Sequence, residues 1–364
     1  MQSLSTREKQ ESAFETVLVL QGGGSLGAYE CGVYKALHRH GIKFDIIGGT
    51  SIGAVNASII TASKSDEPSK ALEDFWLDLA EGVTLPGLSD EIRPYFASTY
   101  SAIFGNPKIF FPKWFTPSPD YFLPFTWQYL YDITPLKKTL NEYVDFKKLR
   151  EAGKPRLIIT TTDIQNAKPS VFDSKYDNID AEHVLASTGY PFYGISWTQK
   201  SGKYLWDGTL LSNTPLREII DASPKHYKKV YVVDLFPHNQ PEIPKNVFEV
   251  WHRARDIMQT DKTDHNVRMS KIINRYLTLI RDMYEIINTA KIDENSKTKL
   301  AKIEQEYHKL ACERGAIIKE IVRIKRLEHS HFLFEDADFS IATIKELIER
   351  GERDTKNALA LNPQ

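Results

Sequence analysis

Two glycine-rich turns carry the residue types that bond-making chemistry needs. Gly49-Thr50-Ser51-Ile52-Gly53 fits G-x-S-x-G, between an apolar run, "FDII", and a small-residue stretch, "AVNASIITAS", that reads as a helix. A serine in that setting is a candidate nucleophile. A tight strand-to-helix turn lifts its hydroxyl above a sheet, Gly49 and Gly53 avoid a clash beside it, and the first N–H groups of the helix favour developing negative charge. Without that context the five residues would be no more than a glycine-rich connection.

The other turn, "LQGGGSLG", follows a short apolar strand, and Gly27 opens the next helix. Gly22, Gly24 and Gly27 fit G-x-G-x-x-G, the dinucleotide pattern. That reading needs an acid at the carboxyl end of the second strand. Asp45 has the spacing but precedes the strand's apolar residues, so it stands at the wrong end. The competing reading is an oxyanion hole: Gly22, Gly23 and Gly24 expose backbone N–H groups with no side chain in the way, which a serine attacking an ester carbonyl requires.

A serine nucleophile needs a base. His226 and His238 follow the elbow in the chain, but an α/β-hydrolase triad wants about four strands before its serine, and 50 residues leave room for two. Asp207 in "YLWDGTLLSNTPL" is the stronger candidate, at the end of an aromatic-rich strand and before a helix near Pro215. Asp207-Gly208 taken alone would be a common turn.

The elements that must position these groups alternate. Strand, loop, helix, strand, turn and helix fill residues 16–63, which argues for a parallel sheet covered by helices. "RLIITTTDI", "SVFDS", "KYLWDGTL" and "KKVYVVDLF" read as further strands. "DAEHVLAST" reads as a helix capped by Asp180, with Gly189 past its end. Residues 1–15 read as a loose tail and Pro237 to Pro244 as a linker. Between Tyr95 and Tyr131 lie fourteen aromatic residues and five prolines but three charged side chains, so 86–131 reads as an irregular apolar insertion in which proline forbids a long helix. Phe110, Phe111, Trp114 and Phe115 are its candidate acyl-chain or interface residues.

Beyond the linker the chain turns helical and charged. Leu300, Ile303, Tyr307 and Leu310 share a seam fit to pack on a helix such as 266–289. "AIIKEIVRIKRL" reads equally as helix or strand, and Ser340 and Gly351 bracket a last helix. Lys319, Arg323, Lys325 and Arg326 have glutamates nearby and read as a solvated face rather than a lipid contact.

Net charge is −1, so there is no basic field for nucleic acid. Two cysteines, Cys31 and Cys312, make no disulfide framework, and no His/Cys/Asp cluster has metal-ligand spacing. Cys31 reads as a packed residue. The polar start lacks a signal-peptide core, and no apolar run reaches membrane-spanning length. The expectation is a cytoplasmic protein with no cofactor.

"QGGGSLGAYECGVYKAL", "GGTSIGAVNA", "LASTGYPFYGISW" and "LWDGTLLSNTP", in that order, resemble the patatin-like phospholipase family over roughly 16–237. The resemblance implies a three-layer α/β/α sheet for 16–237, with 238–364 as a mainly helical extension. It also implies a Ser51–Asp207 dyad without histidine, an oxyanion hole from 22–27, and hydrolysis of lipid acyl esters through an acyl-enzyme. Leu26 stands where many members carry Arg or Lys, and Thr209 where they carry Gly or Ala. An acyltransferase on the same dyad and a non-catalytic lipid- or nucleotide-binding module are the competing functions. The expected partner is a lipid or other acyl ester, with peripheral membrane contact through the aromatic insertion; oligomeric state is left open.

Overall fold

The computed structural model describes residues 14–361 except 82, 84–86, 88, 90–91, 117–118, 120–121, 124–125, 224–226, 290–293, 314–317 and 328–334, and except the side chains of 94, 248, 261–262, 294–295, 308 and 310–313. The first half runs β1 (Phe14–Leu20), α1 (Gly27–Arg39), β2 (Ile46–Thr50), α2 (Ile52–Ala62), α3 (Pro68–Glu81), α4 (Arg93–Phe104), β3 (Phe111–Pro112), β4 (Tyr131–Asp132), α5 (Thr134–Tyr143), β5 (Arg156–Asp163) and β6 (Lys168–Asp173). Then follow α6 (Ala181–Thr188), β7 (Thr198–Lys200), β8 (Lys203–Asp207), α7 (Leu216–Asp221), β9 (Tyr227–Asp234), α8 (Val247–Thr289), α9 (Glu294–Glu313), β10 (Ile318–Lys325) and α10 (Ile341–Leu361).

Eight strands form one sheet in the order β10-β9-β1-β2-β5-β8-β7, with β6 also pairing β5. The five from β10 to β5 run parallel, with Val17 beside Ile46 and Val230. β8 runs antiparallel to β5 and sets Asp207 opposite Thr161. Both faces are covered, so the central strands are apolar throughout rather than alternating. Leu18, Leu20, Ile47 and Tyr231 pack under α1, α2, α3 and α10. Val17, Val19, Ile46 and Val230 pack the other way, against Leu216 and Ile219 of α7 and Val267 of α8. This is the three-layer arrangement expected.

Four local expectations meet the structure differently. The segment left open between helix and strand is β10, which extends the sheet edge beside β9. Gly351 does not end the last helix, which continues to Leu361. It lies against α1: a β-carbon on Gly351 would stand 2.1 Å from the Tyr29 carbonyl oxygen, and one on Gly32 would stand 1.9 Å from that of Ile348. These glycines let two helices cross backbone to backbone. The aromatic insertion, read as irregular, contains the 12-residue α4, because its proline falls in the first turn, where no N–H partner is lost. The basic run of β10 is not a solvated face throughout. Arg323 pairs with Asp234 and Asp264, and Arg326 is buried on Glu335 and the Leu235 carbonyl.

The tail expected over 1–15 lies outside the described residues up to residue 13. Asp180 does cap α6, accepting from the Glu182 and His183 N–H groups, with Gly189 at the other end. Cys31 is fully buried. Leu300 is buried and Ile303 exposed where α9 meets α8; the side chain of Leu310 lies outside the described residues. No described helix is long and apolar enough to cross a membrane.

Candidate active site

The elbow is built by exclusion. Ser51 sits between β2 and α2 with φ 55° and ψ −126°, a conformation costly for any residue with a β-carbon. It holds because the surroundings leave no alternative. A β-carbon on Gly49 would stand 2.3 Å from the Gly53 carbonyl carbon, and one on Gly53 would stand 2.6 Å from the Leu20 oxygen. The Ser51 N–H donates to the Ser187 hydroxyl at 2.8 Å, which in turn donates to the Thr160 carbonyl at 2.7 Å. Ser187 belongs to the "LAST" segment and ties the elbow to α6 and β5.

Asp207 ends β8 beside the carboxyl end of β5. Its side chain shares the cavity with Ser51, feels the serine hydroxyl electrostatically, and accepts the Thr209 N–H at 2.8 Å. Its backbone is clamped, the N–H donating to the Gly189 carbonyl at 3.0 Å and the carbonyl accepting the Thr162 hydroxyl at 2.9 Å. Gly208 is required next to it, since a β-carbon there would lie 2.5 Å from the Thr160 oxygen. Burial pushes the Asp207 carboxyl up to about 6, against the pull of the neighbouring Ser51 hydroxyl and the Thr209 N–H.

The glycine loop lies against both groups. A β-carbon on Gly22 would stand 2.5 Å from Asn213 Oδ1, 2.7 Å from the Thr209 hydroxyl and 2.9 Å from the Ser51 β-carbon. The Gly22 N–H is spent on the Asn213 carbonyl at 3.3 Å, while among the described residues the N–H groups of Gly23 and Gly24 meet no protein acceptor. Gly24 has φ +57°, and Gly27 packs on Ile52 of the elbow helix. Asn213 holds the loop from below, its amide donating to the Gly22 carbonyl at 3.3 Å and its oxygen accepting the Thr209 hydroxyl at 3.0 Å. The departure at Thr209 therefore bridges the aspartate turn to the glycine loop.

Behind the loop stands Glu30, fully buried on α1. It accepts the Gln21 N–H at 2.7 Å and the Asn56 amide at 2.8 Å. Burial pushes its carboxyl up to about 8 despite those donors. The Gln21 side chain fastens the end of β1 to Thr214 at 2.8 Å and to the Leu235 N–H at 2.6 Å.

Gly22, Gly23, Gly24, Ser51 and Asp207 share one cavity of about 320 Å³. Its apolar wall includes Phe110, Ile133, Leu136, Ile195 and Phe339. Of the four aromatic residues singled out in the sequence, Phe110 is in this wall. Phe111, Trp114 and Phe115 are not; they cluster outside it, with the Trp114 indole N–H on the Ile103 carbonyl at 3.1 Å. Phe192 lines the cavity while remaining 74% exposed, which marks the mouth. The polar end comes from the C-terminal region: Arg255 and Gln259 of α8, and Asp336, which takes the Tyr193 hydroxyl and the Arg255 guanidinium at 3.1 Å. His238 instead faces Asp264 at 3.1 Å and does not line the cavity, and His226 lies outside the described residues.

Asn213, Ser187, Glu30, Gln21, Arg255 and Asp336 escape a reading of motifs. Asn213, Ser187, Gln21 and Glu30 lie inside the matching segments but have no mark of their own. The others depend on partners far away in the chain.

A family model described as patatin-like phospholipase matches residues 18–220. The chain is 36% identical over 101 residues to neuropathy target esterase sws of Drosophila persimilis, covering 25% of this chain and 7% of that protein. It is 40% identical over 67 residues to patatin-like phospholipase domain-containing protein 7 of Mus musculus, covering 18% and 5%. It is 60% identical over 42 residues to lysophospholipase nte1 of Aspergillus terreus, covering 12% and 3%. The chain thus spans only a small part of the length of these relatives. The family match covers more than half of the sequence and takes in the serine elbow, the glycine loop and the aspartate turn: this chain belongs to the patatin-like phospholipase family.

Proposed function

We propose that the protein hydrolyses acyl esters of lipids, with Ser51 as nucleophile and Asp207 as its general base. The observation that carries this reading is a strained serine and a buried carboxyl whose pKa the serine hydroxyl pulls down, both lining one end of an apolar cavity. An ionised Asp207 takes the Ser51 proton as the oxygen attacks the ester carbonyl. The N–H groups of Gly23 and Gly24 receive the oxyanion. The protonated Asp207 then gives its proton to the departing alkoxide, leaving an acyl-serine. In the second half Asp207 takes a proton from water as the water oxygen attacks the acyl carbonyl, then returns that proton to the departing Ser51 oxygen, which frees the fatty acid and restores both residues.

The lysophospholipase names among the relatives and the apolar wall favour a lipid with one acyl chain in the cavity. The mouth carries the exposed ring of Phe192, which suits contact with a lipid surface.

Release of nitrophenol from short- and long-chain nitrophenyl esters tests the reading. Ser51→Ala and Asp207→Ala should each lower kcat/KM by about 10⁴-fold or more with the fold intact. Retained rate in Ser51→Ala would overturn it. Added acceptor alcohol separates hydrolysis from acyl transfer by product.

A further inference from the structure

We infer that this protein forms an antiparallel dimer through the outer face of α8. That helix has two apolar sides. Gln259, Thr263, Val267, Ser270 and Leu277 are buried against the body of the protein. Opposite them lie Met269, Ile272, Tyr276, Leu279, Met283 and Ile286, of which between 39% and 70% is exposed. A surface helix should be polar there. The six residues recur at alternating steps of three and four, the a and d positions of a heptad seam about 27 Å long. α9 packs on α8 along another line, where the Tyr284 hydroxyl bonds the Glu304 carboxylate.

The seam's flanks specify a second copy. In an antiparallel pairing that sets Tyr276 against Leu279 of the other copy, Met269 meets Ile286 and Ile272 meets Met283, so the seam is complementary to itself. One flank then brings Arg275 beside Asp282 of the other copy, twice by symmetry. The other flank brings together Ile273 and Ile280, widening the apolar contact. A helix lying on anionic lipid would carry basic residues on its flanks, whereas Asp282 and Glu285 stand among the basic residues here.

Sedimentation equilibrium of the full chain tests the inference. Wild type should sediment as a dimer and Tyr276→Glu as a monomer, with unchanged circular dichroism and ester hydrolysis. Arg275→Asp and Asp282→Arg should each raise the dimer dissociation constant about ten-fold or more by opposing like charges. An equimolar mixture of those two variants should regain wild-type affinity, because both cross-pairs become complementary. A monomeric wild type, a dimer that survives Tyr276→Glu, or a mixture that fails to recover would each overturn the inference. So would a monomer that binds anionic phospholipid vesicles through these residues, since that makes lipid the occupant.

Discussion

The backbone carbonyl of Asp336 fills the place where any side chain at position 24 would begin: a β-carbon on Gly24 would stand 2.3 Å from that oxygen. The Ser25 hydroxyl donates to the neighbouring Glu335 carbonyl at 3.0 Å. A turn more than 300 residues away in sequence thus presses the glycine loop into position. Gly24→Ala should push the loop off this turn and misplace an N–H donor, lowering kcat/KM by about 10²- to 10³-fold. Ester hydrolysis and thermal unfolding measured together check this, since the rate should fall much further than stability.

The acidity of Asp207 sets the pH dependence. As the base it must be ionised, and burial places its pKa at about 6. The kcat/KM of wild type should therefore rise with pH through about 6 and level off above it. Asp207→Asn should abolish that limb together with most of the rate. A profile flat from pH 5 to 8 would remove Asp207 as the base.

Glu30 should make stability fall as pH rises. Its folded pKa of about 8 lies above the value of 4.5 for a free side chain, so the folded state holds a proton that the unfolded chain gives up. The stabilisation is complete below about pH 4.5 and is lost as pH rises to 8, at a slope of up to about 1.4 kcal/mol per pH unit. Denaturant titrations of wild type and Glu30→Gln at pH 5 and pH 8 check this; the slope should be much weaker in the variant.

Chain-length preference should follow the cavity wall. Phe110→Ala should lower kcat/KM for long-chain esters about ten-fold or more relative to short ones, because Phe110 lines the cavity. Trp114→Ala should change that ratio little, since Trp114 packs outside the wall on Tyr131. Rates on a nitrophenyl ester series give both ratios.

Gly351→Ala separates propensity from packing. In the middle of a helix the change should stabilise by about 1 kcal/mol. Here the new methyl would meet the Tyr29 carbonyl, so the prediction is a loss of about 1–3 kcal/mol, read from the denaturant midpoint.

The alternation of β1, α1, β2 and α2 was legible because it rests on local rules: apolar runs, glycine punctuation and cap residues. So were Ser51 and Asp207 as candidates. An elbow of this tightness needs small residues at fixed places beside the serine, and Gly49 and Gly53 record that need within five positions. The glycine loop was legible for the same reason, as a stretch of backbone with no side chain to hide it.

What surrounds those groups was settled by contacts distant in sequence. Gly22 loses its N–H to Asn213 because β1 and the turn after β8 end side by side, so a donor that looked equal to its neighbours is already engaged. Gly351 reads as a helix end by type, yet a backbone crossing with α1 keeps the helix going. Periodicity left β10 undecided; the exposed edge of β9 made it a strand. The cavity takes Phe236, Arg255, Asp336 and Phe339 from beyond the family's motifs, and Asp207 acquires its raised pKa only when the sheet and its helices exclude water from it. Local sterics are written in neighbouring residues, so the sequence alone carries them. Burial and electrostatics belong to groups brought together by the fold, and only the tertiary structure decides them.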